Sequence, residues 1–409
     1  MGLSVCFLVG ALGPSGGVRA VVEHARALSR DHEMDVSLVV WSEDEAAGKH
    51  DLPLLTLERA RARQFDVAVA TWWRTAYALF SVPARRYAYF VQQLEERVYR
   101  QGDAERFGAA LTHDLPVAFL SEAAWIVDLL GELRPHAARF HVPNGIDKKR
   151  FDVARRPAGE RQGRLRVLVE GSPHLWYKGV HDAVEVLRRT SEPLETTFVS
   201  PEPPDVATRS SFQRVLGPLE HEAMPEVYAE TDVLLKLSRV EGVFTPPLEV
   251  FHMGATCLVW PVTGHDEYIE HGRNGVVCDF DDMAGTAHWL ELLASRPALL
   301  DELRRGALHT ASRWPSLAEA SRRFAAALME IAAGPAPDAG AASAQLLADA
   351  SAGMADQRMA QLRGERRAAA LERRLAHLEH AAARLDALER TRTFRARERA
   401  WRLLVSIRR

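Results

Sequence analysis

Cysteine is scarce in this chain of 409 residues, and its scarcity argues against two classes of protein. The three cysteines, Cys6, Cys257 and Cys278, stand in apolar, strand-like runs and form no Cys-x-x-Cys pair. This pattern argues against a disulfide framework and against a zinc site. We therefore expect three buried thiols in a reducing compartment.

Long apolar runs and a strong net charge are also missing. No run approaches the ~20 apolar residues that a membrane span requires. No basic segment precedes the first apolar run, so we expect a first strand there and not a signal peptide. A net charge of -3 gives the protein as a whole no attraction to nucleic acid. These observations predict a cytoplasmic protein without a nucleic-acid partner.

The composition is that of an ordinary globular protein, with 47% hydrophobic and 26% charged residues. A chain of this length is too long for one compact core, so two domains with additional segments are expected. In residues 1–154, short apolar runs alternate with helical patterns, which predicts parallel βαβ units. The predicted strands cover 3–9, 35–40, 65–70, 87–91, 117–120 and 139–142, and the first helix covers 17–30.

A second alternating set follows a polar, Pro- and Gly-containing linker at 155–163. We assign residues 164–332 to a second domain of the same α/β class, so that two Rossmann-like, doubly wound parallel sheets face a cleft. Such sheets bind ligands at the carboxyl ends of their strands. The predicted strands are 165–169, 195–200, 232–237, 256–259 and 275–279, and the predicted helices are 180–189, 222–230, 247–253, 266–270 and 283–293.

The remaining residues differ in composition from both domains. Residues 333–353 are rich in Ala, Gly, Pro and Ser and predict a flexible linker. Residues 354–409 predict a helical tail with a short heptad-like apolar spacing, which allows a coiled coil and a homodimer. Within this tail, residues 390–409 combine many arginines with aromatic and aliphatic residues, typical of a segment that rests on anionic lipid. A solvated helix end is the first alternative, and contact of this basic tail with nucleic acid is a weaker one.

The most informative stretch places two carboxylates, Glu241 and Glu249, eight positions apart after the apolar run 233–237. The apolar run predicts a buried strand. Thr245 is expected to cap the following helix, and Pro246 suits its first position. Glu241 should then lie in a strand-to-helix loop, and Glu249 about one turn into the helix.

This arrangement suits a sugar nucleotide. Free N–H groups at a helix start favour phosphate. A carboxylate on each side of that phosphate site can accept hydrogen bonds from hydroxyls of ribose or sugar. A solvated Glu followed by an ordinary amphipathic helix is the alternative for such a pair.

The residues around this stretch resemble the retaining GT-B glycosyltransferases of the family-4 type, also called glycosyl transferases group 1. The family pattern Glu-Gly-Phe-Gly-x-x-x-x-Glu corresponds to residues 241–249. Further family motifs occur in register at 143–147, 254–256, 263–267 and 272–275. The resemblance covers residues 3–330 and leaves the tail outside.

Two more motifs match the family. Gly16 and Gly17 open the first predicted helix, where glycine lets the backbone approach a phosphate. A plain tight turn is the alternative. Lys178, followed by Gly179, matches the lysine that the family pairs with the donor diphosphate, and a solvated surface lysine is the alternative.

The sequence departs from the family in three places. Ser172 stands where the family commonly has an arginine that also holds phosphate. Phe244 replaces the second glycine of Gly-Phe-Gly. The segment 89–95, which contains Gln92 and Gln93, occupies the place of a histidine beside the sugar. Gln followed by an acid resembles a rhamnosyltransferase-like branch.

The resemblance implies transfer of a hexose or deoxyhexose from a nucleotide-diphosphate donor to a hydroxyl of a glycan or lipid-linked glycan. The anomeric configuration would be retained, and the product would belong to cell-surface polysaccharide, lipopolysaccharide or O-antigen-type synthesis. No metal or other cofactor is required. The Asp-x-Asp at 279–281 is expected to lie at a helix start and not to bind metal. The resemblance assigns catalysis to Lys178 and Glu241, and donor binding to Gly16, Gly17, Lys178, Val243, Phe244, Thr245 and Glu249.

Two alternatives stay open from the sequence. The first is a sugar-nucleotide epimerase or a phosphorylase on the same architecture, and an epimerase would alter its substrate without an acceptor. A catalytically degenerate transferase would serve as a scaffold, with the helical tail as its interaction module.

Overall fold

The computed structural model describes residues 2–13, 15–41, 51–156 and 163–336, together with separate helical residues between 348 and 401. Two parallel β-sheets, of seven and six strands, form the centres of two α/β domains. The predicted fold class is therefore confirmed.

The first sheet has the strand order β3-β2-β1-β4-β5-β6-β7, and all its pairings are parallel. Alternate residues of its first strand enter two different cores, with Val5 and Phe7 on one face and Cys6 and Leu8 on the other. Burial on both faces explains the nearly continuous apolar run. The strands are β1 Ser4–Gly10, β2 Asp35–Val40, β3 Leu54–Thr56, β4 Phe65–Ala70, β5 Ala84–Phe90, β6 Ala118–Ser121 and β7 Arg139–His141.

The second sheet has the order β10-β9-β8-β11-β12-β13 and is also parallel. Its strands are β8 Leu165–Glu170, β9 Leu194–Val199, β10 Arg214–Leu216, β11 Val233–Lys236, β12 Thr256–Val259 and β13 Val276–Val277. The α-helices are α1 Gly16–Asp31, α2 Leu57–Arg61, α3 Trp73–Ala78, α4 Ala104–Leu111, α5 Ala124–Leu133, α6 Val180–Arg189, α7 Val206–Arg209, α8 Met224–Ala229, α9 Thr245–His252, α10 Met283–Ser295, α11 Pro297–Arg313 and α12 Leu317–Ala333.

Some local predictions need correction. Helix α9 begins at Thr245, and Phe244 takes the N-cap position without a side-chain hydrogen bond, so Thr245 is not the cap. The helix predicted at 266–270 is a single 3-10 turn, His265–Glu267. All three cysteines are free and buried, as expected.

Helix α12 follows the second domain in sequence but packs on the first. Phe324, Leu328 and Ile331 belong to the same core as Phe7 and Phe90 of the first sheet. The predicted boundary at 332 placed this helix in the second domain, whereas its apolar face completes the first. The chain thus crosses between the domains twice.

The predicted linker at 333–353 and the tail at 354–409 lie largely outside the described residues. Where the tail is described, it is helical, and Leu371, Leu375 and Leu378 of the heptad-like segment are exposed. Most of the basic segment 390–409 is outside the described part. Among the residues that the structure covers, no helix is both long and apolar enough to cross a membrane.

Candidate active site

Lys178 lies at the end of a 3-10 turn, Trp176–Lys178, that connects β8 to α6. The next residue, Gly179, has a φ of 65°, and a Cβ atom there would collide with the carbonyl oxygen of Leu237, just beyond β11. Only glycine fits both the left-handed backbone and the close approach. The Lys-Gly pair of the sequence thus fixes the lysine against the end of a neighbouring strand.

Glu241 lies in the loop between β11 and α9, as expected, and is buried. The Lys178 Nζ donates to both of its carboxylate oxygens, at 3.0 Å each. Burial opposes the charge, but Lys178 and Lys236 together hold the pKa of Glu241 below its usual value. Burial likewise opposes the charge of Lys178, and Glu241 raises the pKa of that lysine. Both groups are therefore charged at neutral pH.

Glu249, on α9, is buried and is held by side chains from several elements. The His221 Nε2 lies 2.7 Å from its Oε1, and the Tyr228 hydroxyl lies 3.1 Å from its Oε2. The same hydroxyl is 2.7 Å from Glu170 at the end of β8. Because a phenol has a single hydrogen, it donates to one of these carboxylates at a time.

Lys236 interacts with two carboxylates, those of Glu170 and Glu241. Its ammonium lies 3.4 Å from the Oε1 of Glu170 and donates to the Glu170 carbonyl at 3.3 Å. It also contributes to the low pKa of Glu241. The charge of Lys236 thus couples the Lys178–Glu241 pair to the hydrogen-bonded group of Glu170, Tyr228 and Glu249, and together they form one polar network at the carboxyl ends of β8 and β11.

The start of α9 offers fewer amide donors than the sequence suggested. Pro246 and Pro247 have no N–H, and the Thr245 amide is bonded to the Val243 carbonyl at 3.0 Å. The amides of Val243 and Phe244 have no hydrogen bond within the part of the chain that the structure describes. These two amides are the remaining candidates for contacting phosphate.

The Phe244 side chain is fully buried in the core of the second domain. Its carbonyl accepts a hydrogen bond from the Tyr268 hydroxyl. The residue that replaces the family's second glycine is thus an anchor for the loop, and only its backbone can contribute to donor binding.

The first domain contributes the start of α1. Ser15 caps the helix by accepting from the Val18 amide at 3.2 Å, so the helix begins at Gly16. A Cβ atom at Gly17 would lie 3.0 Å from the Oε1 of Gln92, which follows β5. The Gln92 Nε2 donates to the Thr71 carbonyl at 3.3 Å, while its buried Oε1 has no hydrogen-bond partner among the described residues.

Direct contacts between the domains surround this site. The Trp125 indole, on α5, donates to the Gly242 carbonyl at 3.1 Å, and the Trp176 indole donates to the Val98 carbonyl at 3.1 Å. A Cβ atom at Gly242 would collide with the Gln92 carbonyl, so the two loops touch through backbone. The loop that carries Glu241 is therefore pressed against the first domain.

The structure also explains Ser172, which departs from the family pattern, and the acidic motif at 279–281. Ser172 donates to the carboxylate of Glu202. Asp282 caps α10 by accepting from the Gly285 amide at 2.8 Å, and Asp281 pairs with Arg239 at 2.6 Å. Within the described ranges, no group of three or more His, Cys, Asp and Glu side chains is arranged to hold a metal ion.

The structure thus brings Lys178, Glu241 and Glu249 into one network, and places Gly17 beside the loop that meets Gly242. Sequence reasoning did not find the side chains that complete the network. Glu170 and Lys236 stand at strand ends, where ligand residues are expected in parallel sheets, which is a usable signal. No local motif identifies His221, Tyr228 or Arg19, whose Nη2 lies 3.7 Å from the Glu249 Oε1.

Comparisons with known proteins agree with this architecture. The family model for glycosyl transferases group 1 matches residues 164–295. Anabaena HepE, solved with UDP and glucose, is 13% identical, with a TM-score of 0.62 over 80% of this chain and 100% of that chain. Sucrose-phosphate synthase from Thermosynechococcus elongatus is 12% identical, with a TM-score of 0.68 over 81% and 99%. The lipopolysaccharide outer core galactosyltransferase WaaB is 14% identical, with a TM-score of 0.59 over 80% and 99%. No curated protein sequence matches the chain.

These likenesses define the fold. The chain has the two-domain GT-B fold of the glycosyltransferases. Its second domain, which carries Lys178, Glu241 and Glu249, matches the glycosyl transferases group 1 pattern.

Proposed function

We propose that this protein transfers a sugar from a nucleoside diphosphate sugar to an acceptor hydroxyl and retains the anomeric configuration. The observation that carries the proposal is the ion pair between half-buried Lys178 and buried Glu241, held at 3.0 Å beside the loop contact that joins the two domains. A cation and a carboxylate fixed at adjacent strand ends suit the two halves of such a donor. The lysine faces the diphosphate, and the carboxylate accepts hydroxyls of the sugar.

Glu249 takes the ribose hydroxyls in this scheme. Its carboxylate already lies within hydrogen-bond distance of His221 and Tyr228. These bonds orient the carboxylate before the ligand arrives. The amides of Val243 and Phe244, together with the start of α1 at Gly16 and Gly17, contribute backbone donors to the phosphates.

The reaction breaks the bond between the anomeric carbon and the diphosphate oxygen. The acceptor oxygen forms its bond to the same face of that carbon, and the departing diphosphate oxygen takes the acceptor proton. Negative charge therefore grows on the leaving group, where fixed donors lower the barrier. Lys178 provides that donor, and Glu241 is not assigned the role of a glycosidase nucleophile. The scheme needs no metal ion.

Closure of the cleft protects this chemistry from water, which would otherwise compete with the acceptor. The contacts of Trp125 and Trp176 across the cleft are suited to hold the closed form. HepE was solved with UDP and glucose, and WaaB is a lipopolysaccharide outer core galactosyltransferase. We infer from these likenesses that the acceptor is a glycan or lipid-linked glycan of a cell-surface polysaccharide.

A nucleotide panel tests the proposal first. UDP, GDP, ADP, CDP and dTDP are added to the full-length protein, and the thermal midpoint is measured. Ligand at about 100 times its dissociation constant stabilises a protein by roughly 2.7 kcal/mol, so the correct base should stand out. Sugar nucleotides of that base are then offered with glycan acceptors, and NMR of the product reads the anomeric configuration.

The outcomes separate the proposal from its alternatives. Product with the donor's anomeric configuration supports it, and inverted product contradicts retention. Conversion of the sugar nucleotide without an acceptor would indicate an epimerase. Binding without turnover on any acceptor would favour a scaffold.

A further inference from the structure

The cleft has little positive charge for a ligand that carries a diphosphate. Lys178 is neutralised by Glu241, and Lys236 is buried against Glu170 with a side chain only 3% exposed. Ser172 occupies the place of the family's second phosphate-binding cation and is bonded to Glu202. Two prolines also remove amides from the start of α9. One cation does not balance a diphosphate, so another group is needed.

Arg19 is positioned to supply this charge from the other domain. It lies in the first turn of α1, two residues after Gly17. Its Nη2 is 3.7 Å from the Glu249 Oε1, which joins α1 to α9 across the cleft. The side chain is 34% exposed, so solvent and ligands can reach it.

The guanidinium of Arg19 is paired by charge but not by hydrogen bonds. Across the described part of the chain, its side chain donates no hydrogen bond, although a guanidinium has five N–H donors. Burial raises the pKa of the Glu23 and Glu122 carboxyls, and the positive charge of Arg19 partly offsets this rise. Arg19 is therefore a charged group with free N–H donors beside Glu249, the residue proposed to bind the ribose hydroxyls.

We propose that Arg19 is the second cation of the diphosphate site and moves from Glu249 to the diphosphate when the donor binds. The inference rests on the proposed function and deepens it. The donor would free its guanidinium, because ribose hydroxyls take over the Glu249 oxygen that Arg19 now faces. The diphosphate would then be held by one cation from each domain, Lys178 and Arg19, so that binding it also joins the domains.

The test compares nucleoside diphosphates with their monophosphates. Calorimetry gives dissociation constants of UDP, GDP, ADP, CDP and dTDP, and of the matching monophosphates, for the full-length wild type and Arg19→Ala. The matched control is Arg26→Ala, on the same helix, whose arginine pairs with Asp51. We expect Arg19→Ala to weaken the preferred diphosphate about tenfold or more. The monophosphate should change far less, and Arg26→Ala should bind like wild type.

A second variant tests the exchange of cations. Adding Ser172→Arg to Arg19→Ala places an arginine next to Gly171, whose Cβ position lies 3.4 Å from the Lys178 side chain. Diphosphate affinity should recover at least in part. Thermal melting of each variant shows whether it is folded, and the ratio of diphosphate to monophosphate affinity in Arg19→Ala decides the question even where the double variant does not fold.

Three results would overturn the inference. Unchanged diphosphate affinity in Arg19→Ala removes Arg19 from the site and leaves the proposed function standing. An equal loss for diphosphate and monophosphate shows that Arg19 acts only by positioning Glu249. Absence of any nucleotide binding by the wild type contradicts the proposed function itself, and the inference with it.

Discussion

A single phenol joins the two carboxylates that complete the candidate site. The hydroxyl of Tyr228 lies within hydrogen-bond distance of both Glu170 and Glu249, and its ring is buried. Burial and the two carboxylates raise the pKa of this phenol well above its usual value, so it remains a donor. Buried carboxylates that lose a donor are costly. The residue should therefore matter for stability as well as for the shape of the site.

Tyr228→Phe tests this role. We expect the free energy of unfolding to fall by about 1.5–3 kcal/mol, since a hydrogen bond to a charged group is lost. Urea denaturation measures it. Tyr77→Phe is the control, because the Tyr77 hydroxyl donates to a neutral acceptor, the Gly108 carbonyl, at 2.8 Å. A Tyr228→Phe cost no larger than that of the control would mean that the carboxylates do not depend on the phenol.

Glu122 makes stability depend on pH in a direction opposite to that of most carboxyls. Burial raises its pKa from 4.5 to about 8. Between these values the folded state holds a proton that the unfolded state has released. The free energy of unfolding therefore decreases as pH rises through this range, and levels off above about pH 8. Desolvation also raises the pKa of the partly buried Glu95 to about 8, which adds to the same trend.

Glu122→Gln removes one of these protons. Relative to the wild type, the free energy of unfolding of the variant should rise by at least about 1 kcal/mol between pH 5 and pH 8, because one pKa unit corresponds to about 1.4 kcal/mol. Denaturation series at pH 5, 6, 7 and 8 would show the difference. The exposed Glu132→Gln serves as the control and should keep the wild-type slope. Parallel curves for wild type and Glu122→Gln would contradict a raised pKa at this site.

At the scale of elements, the inner strands of both sheets were predictable, whereas one edge strand of each sheet was missed. Asp35–Val40 and Phe65–Ala70 have the predicted bounds, because runs buried on both faces are continuously apolar. Leu54–Thr56 and Arg214–Leu216 were missed. Each is a three-residue edge strand that is paired on one side only, so its sequence carries little pattern.

The residues of the candidate site likewise divide into those that the sequence predicted and those that it did not. Lys178, Glu241 and Glu249 were predicted because each belongs to a motif at a strand end. Arg19 and Tyr228 were not, since they lie on helices and reach the site only through the packing of distant segments. Helix α12 illustrates the point for the fold. Nothing in its own sequence indicates which domain its apolar face covers.

A substitution at Phe324 tests the packing of α12 on the first domain. Its ring lies 5.8 Å from Phe7, 5.2 Å from Phe90 and 4.8 Å from His24, measured between centroids. Phe324→Ala should lower the free energy of unfolding by about 3–5 kcal/mol, as truncation of a buried aromatic does. The control is Phe280→Ala, at a residue that is 42% exposed. Similar losses for the two variants would show that α12 is not part of the core of the first domain.

At the scale of the whole molecule, the fold places two domains around one polar network and adds a tail. The basic segment 390–409 is mostly outside the described residues, but Trp401 is described and is 66% exposed. An exposed indole among arginines is typical of a segment that lies at an anionic lipid surface. We propose that this segment brings the protein to a membrane-bound acceptor.

Vesicle sedimentation measures this contact. The full chain should sediment with vesicles that contain phosphatidylglycerol, and a chain ending at residue 389 should remain in the supernatant. High salt should weaken the binding, because the attraction is partly electrostatic. Vesicles of phosphatidylcholine alone provide the control. Equal sedimentation of the two proteins would contradict a role for the segment.

The central proposal is that Lys178 stabilises the charge of the departing diphosphate, and replacing this lysine tests it most directly. Lys178→Ala should lower the turnover of sugar transfer by about 10²-fold or more, since one charge-stabilising donor is lost. The exposed Lys149→Ala should transfer sugar at the wild-type rate. Near-normal turnover by a folded Lys178→Ala would contradict the account.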